Sequence, residues 1–252
     1  MSGKKQEVLI DKKEFYRNLT RLALPIALQS LMLASVAAGD ALMLGKVAQD
    51  EMTAVSLATQ IQFVQNMFLM AVTGAGAILG AQYWGKGDRR TLEDIFNLML
   101  RFCGILSVIF FLACELAPGL LMHIFTHDAP LIVIGSSYLR IAGWSYLLTG
   151  ISQCYLTIMK VSEHVKPGAI ISSCVVILNI ILNAVFIFGL LGAPKMQARG
   201  AALATTISRI IELALCVAVS SKASYIRPAF DRFMRISKQL KADFIRQCLP
   251  LM

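Results

Sequence analysis

The stretch LALPIALQSLMLASVAAGDALMLG, residues 22–45, decides how the rest of the chain is read. As a helix it is long enough to cross a hydrocarbon core of about 30 Å, and its one charged residue is Asp40. An ionised carboxylate at the centre of a membrane helix costs about 2.5–3.5 kcal/mol, so it is kept only where it is paired, hydrated or protonated. If residues 22–45 span a membrane, Asp40 marks a site.

The same pattern recurs outward from this stretch. Apolar runs at 52–83, 95–117, 131–159, 169–191 and 200–221 bring the candidate spans to six, with charged clusters between them. Composition agrees: of 252 residues, 57% are hydrophobic and 15% charged, where a soluble domain carries about 25% charged residues. Backbone polar groups in lipid must be satisfied within each segment, so these spans are helices. The fold class is an all-α polytopic membrane protein with a six-helix transmembrane bundle.

The formal charge of +9 does not imply nucleic acid, because the basic residues alternate by side. Lys4, Lys5, Lys12, Lys13, Arg17 and Arg21 precede span one, and Lys86, Arg89 and Arg90 follow span two. Lys160 and Lys166 follow span four, and a run from Lys222 to Arg246 follows span six; the opposite loops hold Lys46, Lys195 and Arg199. This positive-inside distribution places the N-terminus in the cytoplasm of a multi-pass protein of the cytoplasmic membrane. The first apolar run starts late and is too long for a cleavable signal. Six cysteines lie in or near the spans without a CxxC pair and read as buried thiols. His123 and His127, four apart, have no acidic or Cys partner patterned around them, so no metal is expected there.

The ends differ from the spans. Residues 1–21 are a cytoplasmic lead-in, and 222–247 are a basic linker in which Phe230, Phe233, Met234, Leu240 and Phe244 suit a helix in the membrane interface. Arg246, Leu249, Pro250 and Leu251 then repeat the spacing of Arg21, Leu24, Pro25 and Ile26. Residues 248–252 therefore read as the start of a second lobe, parallel to the first about an axis along the membrane normal. The chain's expected partners are the lipid bilayer, a small organic substrate, and a C-terminal lobe or a second copy of itself.

Polar residues inside the spans either bond across helices or face water. Gln29, Gln62, Gln65, Asn66 and Gln153 are candidates for a substrate cavity, with interhelical bonding, worth about 0.6 kcal/mol each, as the plain alternative. Asn179 and Asn183, four apart, share a face of span five. Carboxylate and amide oxygens in a dry pocket suit a hard cation such as Na⁺, and burial also lets an Asp hold a proton. Pro25 either bends span one or is an ordinary first-turn proline. Gly76 and Gly80 form a small-xxx-small packing face. Arg209 and Glu212, three apart in span six, read as a pair that neutralises itself, and Arg140 snorkels to the outer interface.

Four stretches taken together resemble the multidrug and toxic compound extrusion (MATE) family of secondary antiporters. They are LALPIALQSLMLASVAAGDALMLGKV in span one, GAGAILGAQYWGKGDRR leaving span two, LNIILNAVFIFGLLG in span five and ARGAALATTIS entering span six. The resemblance implies one lobe of a twelve-helix transporter that exports drugs or metabolites against H⁺ or Na⁺ influx. It places Asp40 on the family's essential helix-one carboxylate, Asn179 beside it, Thr205 as the helix-six hydroxyl of the cation site, and Pro25 at the helix-one bend. Na⁺ would be held by Asp40, Asn179 and Thr205; no other cofactor is implied. Family members with the full cation site often carry a second Asp one turn after the helix-five Asn, where this chain has Asn183. The rival readings are a lipid-linked saccharide flippase of the same superfamily, whose cavity should be richer in Arg and Lys, and a truncated, non-transporting membrane protein. An enzyme is not expected, since no HExxH or Ser/His pairing positions a nucleophile.

Overall fold

The computed structural model describes residues 20, 24, 27, 28, 31, 39, 42–46, 48–222 and 237–251. Span one is thus described only in part, and Pro25, Gln29 and Asp40 lie outside the described residues. The described chain is helical with no strand: α1 (Gln49–Gly85), α2 (Arg89–Leu116), the short α3 (Pro118–His123), α4 (Ala129–Val161), α5 (Val165–Phe188), α6 (Gln197–Lys222) and α7 (Lys238–Cys248). Five of these, α1, α2, α4, α5 and α6, are long and apolar enough to cross a membrane. They coincide with spans two to six, each helix starting a few residues before its apolar run.

Helix boundaries follow local chemistry. The Asp88 side chain caps α2, accepting from the Thr91 backbone N–H at 3.1 Å and the Thr91 hydroxyl at 2.6 Å. Those hydrogen bonds to the charged form hold the Asp88 carboxyl below its ordinary range. Pro at the first turn opens α3 and α4, where its missing N–H has no helical partner to lose. Gly189, at φ 74°, ends α5 in the left-handed conformation that glycine adopts without strain.

Helix α4 is the hub of the bundle and packs against α1, α2 and α6, while α5 packs chiefly on α6. Two apolar clusters stack along the bundle axis. One, near the end carrying Lys86, Arg89 and Lys160, joins Leu79, Leu92, Phe96, Met99, Tyr155 and Ile158; the other joins Val55, Ile61, Tyr138, Leu139, Tyr146 and Ile187 toward the opposite end. Added methyl groups at Gly76 and Gly80 would run into Met99 and into Leu92 and Val161, so the small-residue face of α1 does serve close packing. Outward, Phe63, Met70, Ile109, Val133, Ile181 and Val217 are exposed. Such apolar cover suits a surface solvated by lipid.

Helix α7 departs from the expected interfacial linker. Leu240, Phe244 and Cys248, spaced by four, are buried, and α7 packs on α1 and α2. The Phe244 ring stacks on Phe102 at 5.7 Å between centroids, and Leu251 reaches the groove beside Gly74. The apolar stripe that suits a membrane interface also suits a protein groove, and here the groove takes it. Phe230, Phe233 and Met234 lie outside the described residues.

Candidate functional site

Helix α5 presents Asn179 and Asn183 on its buried face, one turn apart, 5% and 0% exposed. The Asn183 amide Nδ2 donates to Asn179 Oδ1 at 3.1 Å. The Asn179 Nδ2 in turn donates to Thr205 Oγ1 on α6 at 3.5 Å, the long end of a hydrogen bond. The Thr205 hydroxyl donates to the Ala201 carbonyl at 3.0 Å. Three residues named from sequence, on two helices, thus form one chain of amide and hydroxyl groups. These oxygens are neutral, hard donors, and a cation held among them needs a carboxylate to balance its charge. Asp40, the residue expected to supply it, lies outside the described residues.

The joint between α5 and α6 fixes this geometry. The Met196 backbone N–H donates to the Phe186 carbonyl at 2.9 Å, and a Cβ at Gly200 would stand 2.7 Å from that same oxygen. Glycine at 200 lets α6 start against the end of α5, which brings Thr205 level with Asn179.

The expected cavity residues divide. Gln62 and Asn66 lie half-buried and four apart on α1, and Gln153 is half-buried on α4. Gln65 lies deeper than these three. It is fully buried and its Nε2 donates to the Tyr146 carbonyl of α4 at 2.9 Å. It lies on the same face of α1 as Ala58, Ile61, Leu69 and Val72, which are all buried, so Gln65 joins helices inside the bundle. Arg140 is exposed, as a snorkelling residue should be. The His123 and His127 rings meet edge to face at 6.3 Å, and among the described residues no group of three or more His, Cys, Asp or Glu is placed to hold a metal ion.

Two features were not legible in the sequence as site elements. Glu51, in the first turn of α1, accepts from the Ala198 backbone N–H at 2.9 Å, capping α6 from a distance of 147 residues. A recess of about 400 Å³ beside it is lined by Glu51, Ser137, Lys195 and Arg199 among others. An acidic residue in a first turn is ordinary for its own helix, and nothing in its spacing names a second one. The other feature is the Arg209–Glu212 pair, 2.7 Å apart with the Glu212 side chain 3% exposed; the pairing was expected, its depth was not.

Residues 25–185 match the family described as MatE. The chain belongs to the MatE family. Among its relatives, the uncharacterized transporter YisQ of Bacillus subtilis is 23% identical over 92% of this chain and 51% of its own length. The probable multidrug resistance protein NorM of Thermotoga maritima is 24% identical over 79% of this chain and 43% of its own. The multidrug resistance protein MdtK of Pectobacterium atrosepticum is 25% identical over 89% and 50%. A MATE transporter solved in an outward-facing conformation superposes with TM-score 0.82 at 17% identity, over 92% of this MatE chain and 51% of the other. The bent form of Vibrio cholerae VcmN gives 0.81 at 18%, over 94% and 55%. This MatE chain spans about half the length of the relatives it matches, and its fold is that of one lobe. It is a multi-pass membrane protein of a transporter family whose members are not enzymes.

Proposed function

We propose that this MatE chain is the N-terminal lobe of a secondary active transporter that exports organic cations, drugs or toxic metabolites across the cytoplasmic membrane in exchange for H⁺ or Na⁺. The observation that supports this most is the chain of Asn183, Asn179 and Thr205, which gathers neutral oxygen donors from α5 and α6 at one place in the lobe. Asp40 completes the site and carries its charge, and it alternates between a cation-bound state and one released to the cytoplasm. Cation binding neutralises Asp40 and lets span one repack near Pro25, which favours release of substrate outward in an alternating-access cycle. A second lobe, or a second copy of the chain, closes the cavity on its other side.

Full-length protein in proteoliposomes tests the site. Asp40→Asn keeps the size of the side chain and removes its charge, and it is expected to abolish gradient-driven export of ethidium while leaving the protein monodisperse. Unchanged export by this variant would remove Asp40 from the coupling site.

A further inference from the structure

The turn between α1 and α2 gathers cations that no ion pair inside the lobe uses. Helix α1 ends at Gly85 and α2 begins at Arg89. The Gly87 and Asp88 backbone N–H groups close the turn on the Trp84 and Tyr83 carbonyls, at 2.9 and 3.0 Å. Lys86, Arg89 and Arg90 all stand exposed on it. The ion pair found among the described residues is Arg209–Glu212, so none of these three cations has a carboxylate at ion-pair distance. Asp88 is the one acid of the turn, and its oxygens already accept from the Thr91 N–H and hydroxyl. Three cations against one carboxylate leave residues 86–90 with a net charge of +2.

Helix stability does not account for these charges. Arg89 and Arg90 occupy the first turn of α2, which holds no acidic residue, and positive charge there opposes the helix dipole. Two of the cations are instead laid over aromatic rings of α1. Lys86 Nζ is 5.3 Å from the Tyr83 ring centre, and the Arg89 guanidinium carbon is 5.9 Å from that of Trp84, both within cation–π reach. The two rings are half-buried and pack on the apolar cluster that contains Leu79, Leu92 and Phe96. Each ring is thus anchored in the lobe and holds a cation beside it. The apolar run of α1 ends at Tyr83, and Tyr and Trp at such an end sit at headgroup depth, so the cations stand level with lipid phosphates.

We propose that the α1–α2 turn is a binding site for the headgroup of an anionic phospholipid in the adjoining leaflet. The phosphodiester oxygens accept from the Arg89 guanidinium and the Lys86 ammonium, and Arg90 adds its charge to the field. A guanidinium bonds two phosphate oxygens at once, and one laid over a ring keeps its N–H donors for that task. A zwitterionic headgroup carries a cation of its own into the same positive field, so charge complementarity selects a phosphodiester without an amine, as in phosphatidylglycerol. The site needs only that the chain lies in a membrane, and it stands apart from the transport cycle.

The test is native mass spectrometry of the full-length protein in detergent with equimolar phosphatidylglycerol and phosphatidylcholine of matched chains, read as lipids retained per protein. Wild type should favour phosphatidylglycerol by at least about fivefold, the contribution of one basic residue near a charged surface. The triple variant Lys86→Gln, Arg89→Gln, Arg90→Gln should retain one phosphatidylglycerol fewer, with the phosphatidylcholine count unchanged. Its three side chains are exposed, so its melting temperature should stay that of wild type. Lys160→Gln with Lys166→Gln, at the same end of the bundle, should lose no lipid. An unchanged count in the triple variant, or the same loss in the Lys160 and Lys166 variant, would overturn the site in favour of a diffuse basic surface. Release of the bound lipid by millimolar inorganic phosphate would show a site for free anions and overturn the assignment to a lipid.

Discussion

Asn183 shows how one residue sets the character of the site. Its Nδ2 donates to Asn179 Oδ1 at 3.1 Å, and so occupies an oxygen that a cation would otherwise use. Asn183→Asp removes that donor, since an ionised carboxylate only accepts, and adds a negative charge one turn from Asn179. The variant is expected to make export by proteoliposomes depend more on Na⁺ and less on H⁺ than the parent's does, with stability lower by about 1–3 kcal/mol for the lost buried bond. The same response to H⁺ and Na⁺ gradients in both proteins would show that position 183 does not select the ion. Gln65 carries the converse lesson. By residue type it matched Gln62 and Asn66, but the face it occupies turned it into a bond between α1 and α4.

At the scale of elements, the joint of α5 and α6 is the part on which the site depends most. Gly200→Val places side-chain carbon against the Phe186 carbonyl, where even a Cβ would stand at 2.7 Å. Overpacking of this kind costs about 1–3 kcal/mol, so the unfolding midpoint in detergent should fall and transport should fall with it as Thr205 moves from Asn179. An unchanged midpoint and full transport would mean that the joint yields without moving α6. The helices themselves were legible, because charge scarcity over about twenty residues has one solution in lipid, and the basic residues at their alternate ends marked the turns. Helix α7 was legible only as an amphipathic stripe. Whether Leu240, Phe244 and Cys248 face lipid or protein depends on the groove of α1 and α2, which no local pattern describes. The Glu51 cap on α6 was hidden for the same reason, since its partner is a backbone N–H 147 residues away.

For the whole molecule, two apolar clusters fill the lobe beneath an apolar exterior, and the Asn183–Asn179–Thr205 chain joins α5 to α6, where the proposed cation would bias the packing of one helix. The charge asymmetry extends the same logic to orientation: the positive-inside rule predicts that the end carrying Lys86, Arg89, Lys160 and Lys166 faces the cytoplasm. The account rests on cation-driven export by the complete protein, and its most direct measurement is ethidium export by wild-type proteoliposomes under an imposed proton gradient, an imposed Na⁺ gradient, or neither. Export that requires one of the two gradients and disappears when that gradient is collapsed is the predicted result. Export that continues at the same rate with both gradients absent would contradict the account.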